Sequence, residues 1–234
     1  MSAVSCLLPL VVLLKVNKTF RNKFSVLYME LFGFVVRQME PIRKRAFEIL
    51  QEHLPNRKLS TPLEILEIGV GGGANLEYYP ENSNLTALDK NDTFSNYFND
   101  HKKKFSHVTY KKMVSSMAEK HGRNRRFFDG RGRGTYVLCS VQDVKAVIKE
   151  SEACTEASKF LFVEHVAFPD SHLGSKVQNF AAPLWRLFCD GCNINRKPSE
   201  EIRKGGFSNV ECENQFPSNA WLFLRPQFIG IATK

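Results

Sequence analysis

The run Glu67-Ile68-Gly69-Val70-Gly71-Gly72-Gly73 reads E-x-G-x-G-x-G, and a second acid, Asp89, follows about 20 residues after the loop begins. Glycine lets a backbone take the positive φ of a tight turn and approach a ligand with no Cβ in the way. The spacing excludes a triphosphate-binding loop, G-x-x-x-x-G-K-[ST], because no Lys-Ser or Lys-Thr follows. Gly69, Gly71 and Ala74 do fit the dinucleotide pattern G-x-G-x-x-G/A, but that match gives Glu67 no task, and its carboxylate would repel a pyrophosphate. An acid beside the glycines suits a ligand carrying an α-amino group and a sulfonium charge. A second acid at the tip of the next strand suits a pair of ribose hydroxyls. Together they point to S-adenosylmethionine.

The elements that must hold these residues are legible as alternation. "LEILEIG", "NLTALD", "HVTYKKMV", "KFLFVEHV", "FSNVEC" and "QFIGIATK" are short apolar runs of strand type. Helix-like stretches such as "ANLEYYP" and "DTFSNYFNDHKKK" separate them, which predicts an α/β fold with a mostly parallel sheet and helices on both faces. Upstream, "EPIRKRAFEILQEH" repeats apolar residues at helical spacing. The chain of 234 residues fits one domain, expected over 39–234, behind an N-terminal extension over 1–38.

The chain resembles the methyltransferase-like protein 7 group, membrane-associated thiol S-methyltransferases of the class I S-adenosylmethionine-dependent, Rossmann-like fold. The resemblance is carried by "LEIGVGGGANLEYYP", "LTALDKN", "TYVLCSV", "FVEHV", "PLWRLFCDGCNINR" and "LRPQFIGIATK", in order from about residue 63 to the end. The glycine motif marks only the superfamily, whereas "DGCN" with "VLCSV" is more specific. The resemblance implies that Glu67, Gly69, Gly71 and Gly73 hold the methionine moiety, Asp89 the ribose, and Ala118 and Glu119 the adenine. It also implies a small thiol substrate and a place on the cytosolic face of the endoplasmic reticulum membrane or of a lipid droplet.

Composition bears on partners. The formal net charge is +9, partly in clusters at Lys15 to Lys23, Lys102 to Lys104 and Arg123 to Arg133. No RNA-recognition, zinc-finger or helix-turn-helix pattern accompanies the excess, which argues against nucleic acid as the partner. The apolar run Cys6 to Leu14 is too short to span a bilayer, which needs about 20 residues. With Lys15, Lys18, Arg21 and Lys23 behind it, and "FSVLYMELFGFVV" beyond, it reads as a segment lying on an anionic membrane surface. Six cysteines are too sparse for a disulfide framework. Cys189 and Cys192 form a C-x-x-C, but no second C-x-x-C or H-x-x-x-H completes it, so no metal is expected.

The proton acceptor of a thiol-directed reaction has two candidates, His165 at the carboxyl end of its strand and Asp190 in "CDGCN". Cys139 and Cys192 could line the pocket, although methyl transfer requires no enzyme thiol. Phe180, Trp185 and Phe188 fall near helical spacing and could cap an apolar substrate. The Asn/Asp-Pro-Pro-aromatic element of amino-methylating enzymes is absent after the fourth strand, where "TYVLCSV" stands, and this favours a softer nucleophile than an RNA base. One stretch departs from the family: "KHGRNRRFFDGRGRG" occupies the place of a fourth strand, and an Arg/Gly run is not expected to form a buried central strand. If Gly-Arg-Gly-Arg is encoded GGT-CGT-GGT-CGT, the next frame reads as valines, so two compensating single-base errors that shift and then restore the frame around this window would account for the missing strand. The competing readings are a basic loop for RNA or anionic lipid, and an inactive methyltransferase fold that binds a membrane or lipid droplet.

Overall fold

Seven strands share one sheet: β1 (Leu63–Ile68), β2 (Ser83–Asp89), β3 (Val108–Ser115), β4 (Arg131–Thr135), β5 (Lys159–His165), β6 (Asn209–Gln215) and β7 (Gln227–Thr233). Their spatial order is β3-β2-β1-β4-β5-β7-β6. The first five run parallel, while β7 is antiparallel to both β5 and β6. The computed structural model describes residues 3–31, 33–54, 57–58, 60–120, 131–152 and 159–234.

Eight α-helices accompany the sheet among the described residues. They are α1 (Ala3–Val16), α2 (Lys18–Leu31), α3 (Gly33–Gln38), α4 (Glu40–Glu52), α5 (Ser95–His101), α6 (Val144–Glu152), α7 (Leu173–Phe188) and α8 (Pro198–Lys204). Successive strand residues point to opposite faces, and the core divides accordingly. On one face Ile65, Leu85, Leu161, Val163 and Ile229 meet Ile42, Ala46, Phe47 and Leu50 of α4. On the other, Leu66, Ile68, Phe160, Phe162 and Phe228 meet Val144, Val147 and Ile148 of α6 and Ile202 of α8. A third cluster, with Cys139, Ala182, Cys192, Ile194 and Leu224, lies beneath α7.

Two local expectations are corrected. The Arg/Gly run does supply a central strand: β4 pairs Ile65 to Ile68 of β1 with residues 131–134, and Arg133 to Thr135 with Leu161 to Val163 of β5. A ladder is made of backbone N–H and C=O groups, which Arg and Gly carry like other residues, so two strongly apolar neighbours can recruit a segment of weak β propensity. Residues 121–130, the first part of that run, lie outside the described residues. Downstream of the glycines, "ANLEYYP" forms one 3₁₀ turn, Leu76–Tyr78, in place of an α-helix. Pro80 has no N–H and restricts the residue before it, and Tyr79 is extended at φ −65° and ψ 141°.

No helix among the described residues is long and apolar enough to cross a membrane. The aromatic side chains of α2 pack on α7, with ring centroids 5.5 Å apart for Phe24 and Phe188 and 5.7 Å for Tyr28 and Phe188.

Candidate active site

A cavity of about 1020 Å³ opens at the carboxyl ends of β1, β2, β4 and β5. The crevice outside the carboxyl ends of the strands is where open α/β sheets place ligands. Its wall includes Glu67, Gly69, Gly71, Asp89, Ala118, Glu119, His165 and Asp190, together with Trp185 and Cys192, so most of the residues singled out in the sequence meet in one place. Cys139 is buried behind the wall, and two expected substrate caps lie elsewhere: Phe180 is 86% exposed and Phe188 packs against Phe24 and Tyr28 of α2. Of the glycines, Gly73 stays out of the wall and shapes the loop from behind, and Gly72 lines the wall instead.

Glu67 sits buried near the end of β1, its Oε1 accepting the side-chain amide of Asn75 at 2.6 Å and its Oε2 the hydroxyl of Tyr79 at 2.7 Å. These bonds fasten the far end of the glycine loop back onto β1. Gly69 has φ 71°, and a Cβ there would lie 3.0 Å from Val137 Cγ2. Gly73 has φ 83°, and a Cβ would lie 2.7 Å from Leu76 Cδ1 and 3.1 Å from Phe98 Cδ2. Conformation and space therefore both require glycine at these two positions.

Asp89 ends β2. Its Oδ2 accepts the Gly71 N–H at 2.8 Å and its Oδ1 the Asn91 N–H at 2.9 Å. Burial raises this carboxyl above the ordinary range, and the two N–H donors oppose the rise. A carboxylate offers about four lone-pair sites, so acceptor capacity remains for a ligand. Glu119 Oε1 caps the approach to α6 by accepting the Gln142 N–H at 2.7 Å and the Asp143 N–H at 3.3 Å. Among the described residues its Oε2 is buried without a hydrogen-bond partner, as are Tyr136 Oη and Trp185 Nε1, two further wall residues.

The other end of the cavity is built where three segments converge. The loop after β4 carries Cys139, β5 ends in His165, and the turn after α7 carries Asp190 and Cys192. Asp190 and Gly191 take φ of 48° and 92°, the left-handed pair that turns the chain back beneath α7. Asn193 N–H donates to Cys139 O at 2.8 Å, and Arg196 Nη1 donates to Leu138 O at 2.8 Å and Val141 O at 2.7 Å. The sequence runs "VLCSV" and "DGCNINR" are thus clamped together. Cys139 Sγ and Cys192 Sγ lie 3.4 Å apart, and His165 Nδ1 lies 3.8 Å from the first and 3.5 Å from the second. The Tyr136 ring, 4.6 Å from the His165 ring, covers the group. The neighbouring Cys192 and burial hold the Cys139 thiol well above its ordinary range. Burial likewise raises the Asp190 carboxyl, opposed by Lys90 Nζ at 3.5 Å.

Two supporting residues escaped the sequence reading. Glu164, fully buried on β5, accepts the N–H groups of Val137 at 3.1 Å, Leu138 at 2.9 Å and Cys139 at 3.0 Å, and so shapes the loop after β4. Burial raises its carboxyl and the three N–H groups oppose this. Gln178 of α7 accepts the Phe168 N–H at 2.9 Å and donates to Val166 O at 3.0 Å and Ile194 O at 2.9 Å, holding α7 over the site. A charged or amide residue inside an otherwise apolar run was the available signal for both.

No protein-family model matches the chain. Among curated proteins, human thiol S-methyltransferase TMT1B is 31% identical over 179 residues, which is 75% of this chain and 72% of the relative. Human thiol S-methyltransferase TMT1A is 29% identical over 220 residues, 92% of this chain and 84% of that protein. Among solved structures, the CurJ carbon methyltransferase aligns with TM-score 0.59 at 12% identity over 81% of this chain, which spans about half (53%) of that longer one. The N-methyltransferase NodS from Bradyrhizobium japonicum aligns with TM-score 0.51 at 13% identity over 94% of its length. At these identities the structural likeness establishes the class I methyltransferase fold, while the sequence likeness goes further: the chain belongs to the TMT1 thiol S-methyltransferase family.

Proposed function

We propose that this chain methylates a small thiol, using S-adenosylmethionine, within the cavity at the carboxyl edge of its sheet. The observation that carries the reading is that the glycine loop and Asp89 line the same cavity as His165 and Cys192, with Cys139 behind them.

The wall fits the cofactor. Gly69 and Gly71 bring backbone close enough for an amino-acid moiety, with Glu67 fixing the loop and offering negative charge. Asp89 keeps acceptor capacity for ribose hydroxyls, and Ala118 with Glu119 edges the space for adenine. When bound, S-adenosylmethionine supplies a methyl carbon made electrophilic by its sulfonium. The protein then has to hold the nucleophile in line and exclude water, and positioning of this kind is worth on the order of 7–11 kcal/mol.

Tyr136, Val137, Trp185 and Leu224 give the remaining wall an apolar character suited to an alkyl thiol. A thiol, with a pKa of about 8.5, needs only modest help to ionise. His165 and Asp190 are the wall residues at that end that could accept its proton.

The N-terminal helices support a membrane-surface partner. Leu8 and Val16 of α1 are 65% and 75% exposed beside Lys15 and Lys18, a pairing of apolar and basic side chains that suits an anionic lipid face. On this reading the protein works at the cytosolic face of the endoplasmic reticulum or of lipid droplets. Co-flotation with phosphatidylserine vesicles, lost on deletion of residues 1–16, is the expected result; equal flotation of both chains would reject the segment as the anchor.

The cofactor reading is tested by calorimetry. Asp89→Ala should weaken S-adenosylmethionine binding at least ~10-fold, about 1.4 kcal/mol, through loss of the hydroxyl acceptor. Unchanged affinity would reject the assignment.

A further inference from the structure

We propose that Cys139, Cys192 and His165 form a zinc site whose fourth position opens onto the cavity and takes the substrate thiol as its thiolate. The identity of the fourth ligand rests on the thiol-methyltransferase reading; the three-ligand site does not.

The geometry is that of one face of a coordination tetrahedron. With Zn–S near 2.3 Å and Zn–N near 2.0–2.1 Å, tetrahedral angles require S···S of about 3.8 Å and S···N of about 3.5 Å. The structure gives 3.4 Å between the two sulfurs, and 3.5 Å and 3.8 Å from them to His165 Nδ1. All three residues are buried, and among the described residues no other His, Cys, Asp or Glu joins them. Two thiolates and a neutral imidazole are a donor set that selects zinc over the harder divalent cations, and the two sulfur charges neutralise the ion in a place where net charge is costly.

The surroundings are those of a positioned site. Cys139 is held on one side by its N–H to Glu164 Oε2 at 3.0 Å and on the other by its carbonyl, which accepts Asn193 Nδ2 at 3.1 Å. Cys192 is set by the left-handed turn at Asp190 and Gly191. Backbone and outer partners that fix the direction of a ligand commonly account for a 10–100-fold factor in metal affinity. Three protein ligands with one open position is the pattern of catalytic zinc, whereas structural zinc is closed by four. The opening faces the cavity, because His165 and Cys192 line the wall while Cys139 stands behind them.

The step this permits is ligand exchange. The incoming thiol would displace water from zinc, its S–H bond breaking as the S–Zn bond forms; with His165 held as a ligand, the proton would leave to solvent or to the Asp190 carboxylate. The bound sulfur retains a lone pair for attack.

The test uses the full, reduced chain, purified without chelators. Elemental analysis should find about one zinc per chain, falling at least ~10-fold in Cys192→Ser and in His165→Gln while S-adenosylmethionine affinity is retained. After exchange of zinc for cobalt, the visible absorption of a four-coordinate sulfur-containing site should appear and shift when ethanethiol is added. A reduced wild-type chain that binds the cofactor but neither zinc nor cobalt overturns the site, as does a Cys139–Cys192 disulfide that persists in the native protein under reductant. A cobalt spectrum unmoved by thiol overturns the assignment of the fourth ligand. Metal binding without any cofactor binding leaves the site standing and overturns the cofactor reading. Should the variants fail to fold by circular dichroism, the wild-type cobalt spectrum decides.

Discussion

The Cys139 N–H donates to Glu164 Oε2 at 3.0 Å, so a carboxylate on β5 sets the backbone that presents a cysteine from the loop after β4. Val137 and Leu138 donate to the same carboxylate through Oε1. Glu164→Ala would leave these N–H groups buried without an acceptor. At about 1–3 kcal/mol for each orphaned donor, the expected loss of stability is at least ~3 kcal/mol. Urea unfolding of the variant should show it; a midpoint within error of wild type would mean that the loop keeps its shape by other means.

The glycine loop makes a sharper comparison. Gly73→Ala puts a Cβ at positive φ and 2.7 Å from Leu76 Cδ1, so it should cost about 1–3 kcal/mol of stability. Gly72 has open space where its Cβ would go and lines the cavity, so Gly72→Ala should leave the melting temperature nearly unchanged while weakening cofactor binding. Thermal melts and calorimetry on the pair separate shape from contact. Equal destabilisation by both would refute the distinction.

The legibility of this chain follows from what each residue answers to. E-x-G-x-G-x-G and Asp89 could be read because backbone geometry and ligand chemistry fix those residue types locally. The strands around them could be read because parallel strands buried on both faces demand unbroken apolar runs. β4 could not, since its place is imposed by pairing with β1 and β5 against its own propensity. The Cys139–His165–Cys192 group was hidden for another reason: its members stand 26, 27 and 53 residues apart in pairwise separation, and only the sheet order brings them together. Glu164 and Gln178 answer to partners that no local spacing announces.

β4 carries its own prediction. A central parallel strand is stabilised by β-branched apolar residues and weakened by glycine. A chain with valine at 131–134 should therefore melt higher than the chain as written and bind S-adenosylmethionine at least as tightly. A lower melting temperature would show that the Arg/Gly strand is fitted to its place. Sequencing the transcript across 120–134 would settle whether a shifted frame produced it; an in-frame read of the arginines removes that idea.

The pH response of Asp89 has a definite sign. Burial raises its carboxyl, so folding favours the protonated form. That contribution to stability is complete below the unfolded value of about 3.9 and is lost as pH rises through the raised folded value. The unliganded wild type should lose stability across this window, and Asp89→Asn should lack that part of the decline. Cofactor affinity should run the opposite way, growing as the carboxylate forms. Melts of both chains between about pH 4 and 7 would reveal the sign, and an Asp89 contribution that increases with pH would contradict the account.

The most direct measurement is mass spectrometry of the product formed when the full chain is given methyl-deuterated S-adenosylmethionine and an alkyl thiol. The predicted result is a thioether carrying the labelled methyl, formed at least ~10-fold more slowly by Asp89→Ala at limiting cofactor. A chain that binds the cofactor by calorimetry yet yields no labelled thioether would contradict the proposed function.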